Sequence, residues 1–326
     1  LLKIRISFEK ACFIAYSFSQ HRLIQAIIPG TLFMTIRGIA VIGSATIDKI
    51  IHRDLSRLKI GGVTTYAGIT YRRHDIKTLV ITNVANRDLE IIKRLQEEQI
   101  VVCNGQTELT THFINYINDD KQRQKIPKQA AFISRNQVIN NIKDISFVHL
   151  GPLHPSDIDI QAIKLMSSLK LFVILDAQGF VRSVKNNIVY PTVSKHLPAA
   201  FKISNIVKAN QQEYEAIIDF FQTDLSELMN QFKIKEFVVT SGDKGGFVQK
   251  LTGAEIRYEA SELKSIDDPT GAGDIFLAAY IIGRFIKHQP IPTACKYAAK
   301  LAALQIEGNY IKPDDLCLED REEHRY

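Results

Sequence analysis

The sequence predicts an α/β fold: a doubly wound, mostly parallel sheet with helices on both faces and a small β lid. Three observations predict it. From Met34 onward, short apolar runs of β-favouring residues alternate with amphipathic stretches of helical length. Each apolar run ends near a polar or glycine-containing segment, the place where ligands gather at an open α/β sheet. One stretch, 108–129, breaks the rhythm: a run rich in Thr, Phe and Ile gives way to a charged turn at 119–123. That pattern fits an antiparallel hairpin better than a crossover unit.

In chain order, residues 1–33 come first and stand apart. They are basic and partly apolar (Lys3, Arg5, Lys10, then 11–16), and Met34 stands just before the buried-strand pattern 36–43. An N-terminal extension outside the fold is expected, with a signal or transit peptide as the alternative, although no clear small-residue cleavage site is present. Strands are expected at 39–43, 78–82, 100–103, 147–150, 172–176, 206–208 and 237–240. Helices are expected at 88–98, 156–169, 211–221, 225–232, 274–287 and 292–307. The folded domain is expected over 34–316, with its lid at about 50–64 and 106–130, and a tail at 317–326.

Composition narrows the function classes. Of 326 residues, 45% are apolar and 23% charged, ordinary for a globular chain. The net charge of +6 is spread along the chain without the dense basic stripe of a nucleic-acid footprint, so no nucleic-acid partner is expected. No apolar run approaches the length that spans a bilayer, so no membrane partner is expected either. Cys12, Cys103, Cys295 and Cys317 are far apart and form no CxxC pair, which points to a reduced, cytoplasmic setting.

The most informative segment is Asp268-Pro269-Thr270-Gly271-Ala272-Gly273-Asp274, followed at once by the apolar helical run 275–285. Glycines at a helix start let backbone approach a ligand, and the first-turn N–H groups with the helix dipole favour an anion. Asp274 beside that site can accept the proton of an attacking hydroxyl. A plain turn with an Asp cap would read the same way locally. No Walker A pattern exists in the chain, and a dinucleotide fingerprint fails because Phe276 stands where its third glycine belongs. A second segment, Thr240-Ser241-Gly242-Asp243-Lys244-Gly245-Gly246, offers backbone N–H groups and the Thr240 hydroxyl to phosphates, or is an ordinary hairpin turn. A third, Asn210-Gln211-Gln212-Glu213, offers Glu213 for magnesium held through water, or is a variant capping box.

The order of these three segments resembles the C-terminal half of the ribokinase-like (PfkB) carbohydrate kinases, over roughly 36–315 and most strongly after Val207. The resemblance implies an ATP-dependent kinase with Asp274 as catalytic base and Gly271, Ala272 and Gly273 as anion hole. It further implies Thr240, Gly242 and Gly245 as nucleotide contacts, and Asn210 and Glu213 as the magnesium-linked motif. Family members commonly bind a monovalent cation near the anion hole.

The acceptor end carries less. Asp48, ending the first strand segment, and the pair Gly61-Gly62 resemble the family's early Asp and double glycine, which contact substrate. Many family members have Asn four positions beyond the second glycine, where this chain has Tyr66. Asp176-Ala177-Gln178-Gly179-Phe180-Val181-Arg182 resembles the myo-inositol and cytidine kinase branch, and Arg182 is either a donor to a hydroxyl-rich ligand or a surface ion-pair partner. The expected acceptor is a small sugar or polyol. A nucleoside is the alternative, for which Tyr66 and Phe180 offer an aromatic slot, and a non-catalytic metabolite-binding protein is the alternative of another class. The interval between Asp48 and Gly61 is short for a large clasp, which leaves monomer and homodimer both open.

Overall fold

A computed structural model of the protein describes residues 37–52, 55–118 and 121–318. The expected extension 1–33 and residues 319–326 of the expected tail lie outside these. Fifteen strands are described: β1 Ile39–Ile42, β2 Thr46–His52, β3 Leu55–Gly61, β4 Thr78–Thr82, β5 Val101–Asn104, β6 Thr111–Asn118, β7 Lys121–Lys128, β8 Phe147–Leu150, β9 Phe172–Asp176, β10 Arg182–Lys185, β11 Ile188–Pro191, β12 Ile206–Asn210, β13 Glu236–Thr240, β14 Gly246–Lys250 and β15 Glu255–Tyr258. The helices are α1 Val63–Arg72, α2 Glu90–Glu97, α3 Arg135–Asn141, α4 Ile160–Met166, α5 Leu197–Ile203, α6 Gln211–Phe221, α7 Leu225–Phe232, α8 Ala272–Ile281, α9 Ile291–Ile306 and α10 Pro313–Leu316.

The larger sheet runs β15-β14-β13-β12-β9-β8-β1-β4-β5. From β13 to β5 every neighbour is parallel, and β14 and β15 close the edge as an antiparallel meander. Its inner strands are buried on both faces, which is why β1 and β9 read as unbroken apolar runs. The two-residue period still sorts them. Val41, Val80 and Ile174 join one core cluster with α1, α8 and α9, whereas Ile42, Ile81 and Leu175 join the other with α4, α5, α6 and α7. This is the doubly wound arrangement, and it gathers the C-terminal ends of the parallel strands along one edge.

Several elements differ from expectation. α1 has no counterpart among the expected helices, because its β-branched Val63, Thr64, Thr65, Ile69 and Thr70 have weak helical preference and burial on all sides decides the outcome. The expected helix 156–169 shrinks to α4, which starts where Asp159 caps the Gln161 N–H at 2.9 Å. α8 begins at Ala272 rather than at Asp274, so Asp274 is its third residue, and it runs into a π-turn at Ile282–Ile286.

The lid is a six-stranded sheet, β10-β11-β7-β6-β2-β3. It starts at Thr46, directly after β1, and position 63 already belongs to α1, so its first part is Thr46–Gly61 in place of 50–64. It also includes β10 and β11, which join it through Ile188 opposite Lys125. Asn186 and Asn187 between them hold positive φ (49° and 64°), a two-residue hairpin turn whose Asn-Asn signal the sequence carries. At the far end Cys317 bridges Lys59, and the Leu318 N–H donates to Leu58 O at 3.0 Å, so the start of the expected tail lies along β3. No described helix is long and apolar enough to cross a membrane.

Candidate active site

Gly271 caps α8 in a left-handed conformation (φ 81°), and any β-carbon on it would collide with the Tyr66 ring. Thr270 N–H donates to Asp268 Oδ1 at 3.0 Å, and Ala272 N–H to Pro269 O at 3.3 Å, which fixes the turn that leads into the helix. Gly273 follows, close enough to Lys208 that an added β-carbon would lie 3.3 Å from its Nζ. Asp274 comes next, half-buried. Burial first, then the Asp176 carboxylate, push its pKa up to about 7 against Lys208 and Arg182, with Asp48 adding to the rise. A carboxylate poised near neutrality suits a general base.

Lys208 and Asp176 went unassigned in the sequence. They pair across the parallel β12 and β9 register, both buried, with Lys208 Nζ 2.9 Å from Asp176 Oδ2. Burial works against the ammonium, but Asp176, Glu213 and Asp274 outweigh it and hold Lys208 more firmly protonated than a free lysine. The signal available was a lysine interrupting an otherwise apolar strand, Ile206-Val207-Lys208-Ala209.

Asn210 and Glu213 form a complete capping box on α6: Asn210 Oδ1 accepts from Glu213 N and Glu213 Oε2 accepts from Asn210 N, both at 2.9 Å. Burial raises the Glu213 pKa, with Lys208 opposing, Asp176 adding, and Arg182 opposing in turn. The described residues hold no cluster of three or more metal-ligating side chains. With one oxygen committed to the cap, Glu213 fits a magnesium ion held through water better than a direct protein cage. On the next strand, Asn210 lies opposite Thr240, and the Ser241 hydroxyl donates to Gln211 Oε1 at 3.2 Å, which ties the turn after β13 to the same edge. That turn is tight: Ser241 N–H donates to Gly245 O at 2.7 Å, Gly242 opens a 3-10 turn, and Gly245 takes φ 77° against Tyr258 O. It is the hairpin connection of β13 and β14 and also brings Thr240, Gly242 and Gly245 to the strand ends.

From the lid side comes Asp48, buried, accepting from Thr46 Oγ1 at 2.6 Å, with Gly61 backbone against its carboxylate where no side chain fits. Burial pushes its pKa up to about 6, the Thr46 hydroxyl and Lys59 opposing. Gly62 serves backbone geometry, φ 89° at the start of α1 with Ser44 O behind it. Lys59, directly opposite Asp48 in the β2–β3 register, is buried and bonded to Asp268, and Arg57 reaches the same carboxylate at 2.8 Å. The lid is thereby fastened to the loop that leads into α8. Arg182 heads β10, half-buried, with Glu213, Asp176 and Asp274 acting on its charge after burial. Burial lowers the His154 pKa, with Asp157 opposing and Arg182 adding to the fall. Tyr66 and Phe180 form no slot together, because they belong to the core clusters on opposite faces of the sheet.

The family model for pfkB family carbohydrate kinases matches residues 79–311. A sulfate complex of a pyrophosphate-dependent kinase in the ribokinase family is 24% identical, with TM-score 0.72, covering 82% of this chain and 95% of that one. Ribokinase from Thermotoga maritima is 16% identical with TM-score 0.66, over 86% of this chain and 95% of that one. The Burkholderia thailandensis nucleoside kinase in complex with inosine is 16% identical with TM-score 0.68, over 83% and 91%. At these identities the likeness establishes a shared ribokinase-like fold. No curated protein matches the chain.

Proposed function

Because the chain belongs to the pfkB family of carbohydrate kinases, we propose that it transfers the γ-phosphoryl group of ATP to a hydroxyl of a small sugar or polyol. The observation that carries this reading is Asp274, with its pKa near 7, in the first turn of α8 beside Gly271 and Gly273 and opposite the Lys208 ammonium. In the proposed reaction the transferred group sits over the α8 N-terminus, where Gly271 and Gly273 present backbone N–H groups and the Ala272 N–H, which donates to Pro269 O at 3.3 Å, would be shared with it. Asp274 takes the acceptor hydroxyl's proton as its oxygen bonds to phosphorus and the bond to the leaving ADP oxygen breaks. Lys208 and Arg182 balance the charge of the phosphoryl oxygens. Thr240, Gly242 and Gly245 line the donor's other phosphates. Glu213 would hold magnesium through water, with Asn210 fixing the Glu213 rotamer, and the ion would supply positive charge to the donor's phosphates. Asp48 accepts from a neighbouring acceptor hydroxyl and Arg182 donates to another.

Pyrophosphate is the second donor to consider, since three of the similar structures are described in terms of a pyrophosphate-dependent kinase, one of them complexed with a pyrophosphate analog and myo-inositol. A nucleoside is the second acceptor, supported by the likeness to nucleoside kinases and disfavoured by the separation of Tyr66 from Phe180. A non-catalytic binding protein would have no use for a carboxylate poised as Asp274 is. The test is a matrix of ATP, GTP and pyrophosphate against myo-inositol, ribose and cytidine, with products followed by phosphorus NMR. ATP with a polyol or sugar is expected to give the highest kcat/KM. Absence of product in every cell overturns the kinase reading, and a cytidine maximum replaces the acceptor.

A further inference from the structure

We propose that a cleft on the α4 and α5 side of the sheet is a binding site for a small organic amine, an ammonium group carried on an aromatic or branched aliphatic body. The cleft has a volume of about 170 Å³ and is lined from the loop before α3, the start of α4 and the start of α5. Its floor is apolar and closed, with Ile158, Ile163 and Phe180 each at most 4% exposed. At its rim stand Phe132, Asp159 and His196. Phe132 is 56% exposed although its backbone is fixed: its carbonyl accepts from Asn83 Nδ2 at 3.0 Å, and the next residue pairs with Ile158. None of the residues assigned above to the phosphate donor or the acceptor lines the cleft, so it is a second site and not an extension of the first.

Charge selects the ligand. Asp159 is the one acidic residue lining the cleft, and no lysine or arginine lines it. Its Oδ1 accepts from the Gln161 N–H at 2.9 Å, and no described cation pairs with the carboxylate, which leaves Oδ2 to accept from a ligand. An anion meets no cation here and little free N–H. At α4 the Asp159 carbonyl already accepts from Ala162 and Ile163 at 2.9 and 3.2 Å. At α5 the Leu197 N–H donates to Ser194 O at 3.0 Å, Ala199 and Ala200 donate to His196 O at 3.1 and 3.3 Å, and Pro198 has no N–H to give. An ammonium, by contrast, meets the free carboxylate oxygen and the exposed Phe132 ring, whose face attracts cations. The apolar body then covers Ile158, Ile163 and Phe180 in place of water. Size sets the limit, since a cavity of about 150 Å³ takes up benzene: one ring or one branched chain fits, with a short arm reaching Asp159. Phe180 belongs to the turn Ala177–Val181 that joins Asp176 to Arg182, so an occupant braces that turn.

Binding is read on the full chain without any phosphotransfer, so it stands or falls apart from the kinase reading. Isothermal titration with 2-phenylethylamine, 2-phenylethanol and phenylacetate compares a cation, a neutral body and an anion of similar shape. The amine is expected to bind at least about fivefold more tightly than the alcohol, and the acid least tightly. Asp159→Asn keeps the α4 cap, because Asn caps as well as Asp. It is expected to bring the amine down to the alcohol's affinity with the melting temperature unchanged. Ser156→Trp sets an indole over the cleft from an exposed position and is expected to weaken binding of all three. Amide hydrogen exchange with the amine present is expected to slow at 156–163 and 177–181. Equal affinity for amine and alcohol would make the cleft a plain apolar socket and overturn the proposal. An amine preference that survives Asp159→Asn, binding untouched by Ser156→Trp, or no saturable binding of the amine overturns it as well.

Discussion

Five ionisable side chains from five different elements, Asp48, Asp176, Arg182, Lys208 and Glu213, act on Asp274 or on one another at the C-terminal edge of the sheet. Because burial and Asp176 raise the Asp274 pKa to about 7, the base is expected to ionise late, and kcat to fall as pH drops through about 7. The effect on stability has the opposite sense. A carboxyl with a raised pKa binds more protons folded than unfolded, so its contribution is largest in acid and is lost as pH rises towards 7. Asp274→Asn is therefore expected to lower turnover at least about a hundredfold, and to raise the melting temperature at pH 8 but not at pH 4. Near-normal turnover in the purified variant would remove Asp274 from the chemistry. Lys208→Met takes away the cation that most opposes this rise, so the acid limb of the pH profile should move upward. It also strands the buried Asp176, at a cost of about 3–5 kcal/mol. Adding Asp176→Asn should recover much of that stability in chemical denaturation without recovering kcat, and recovery of both would make the pair structural.

At the scale of elements, α8 was legible because everything it needs is contiguous: a tight turn, Gly271 and Gly273, and a carboxylate one position on. Its true first turn, starting two residues before Asp274, was not, since helix starts blur by a residue or two without a capping side chain. The Lys208–Asp176 pair is another matter. The partners are 32 positions apart in sequence, and only the parallel register of β9 and β12 makes them neighbours, which no local pattern encodes. α1 escaped for a different reason, its β-branched residues arguing against the helix that burial enforces. The same α1 supplies the ring that makes Gly271 irreplaceable. Gly271→Ala faces both a positive φ and the Tyr66 ring, so it is expected to cost more than about 1 kcal/mol of stability. It should also raise the donor KM sharply by shifting the α8 N-terminus. An unchanged donor KM in a folded Gly271→Ala protein would move phosphate binding away from this turn.

Taken whole, the described domain is two sheets that share one site. The parallel sheet supplies the edge proposed to bind phosphate, and the lid supplies Asp48 and the cations Arg57 and Lys59 that grip Asp268. Since β2 leaves β1 after only three residues, 43–45, the lid cannot swing far at that end without moving the sheet. The Lys59 and Arg57 bonds to Asp268 join it a second time, at the loop before α8. An acceptor bound between Asp48 and Asp274 would complete a third connection, and binding to the native state alone stabilises it, by about 2.7 kcal/mol at a hundred times Kd. The stabilisation should be distributed according to contact. With saturating myo-inositol, amide hydrogen exchange is expected to slow in β2, β3 and the 268–274 loop, while the β13–β14 turn exchanges as before. A phosphate donor should do the reverse, protecting the turn around Gly242 and Gly245 together with the start of α8. If the polyol instead protects the β13–β14 turn and leaves β2 and β3 unchanged, the acceptor does not lie under the lid. The role assigned to Asp48 would then fall.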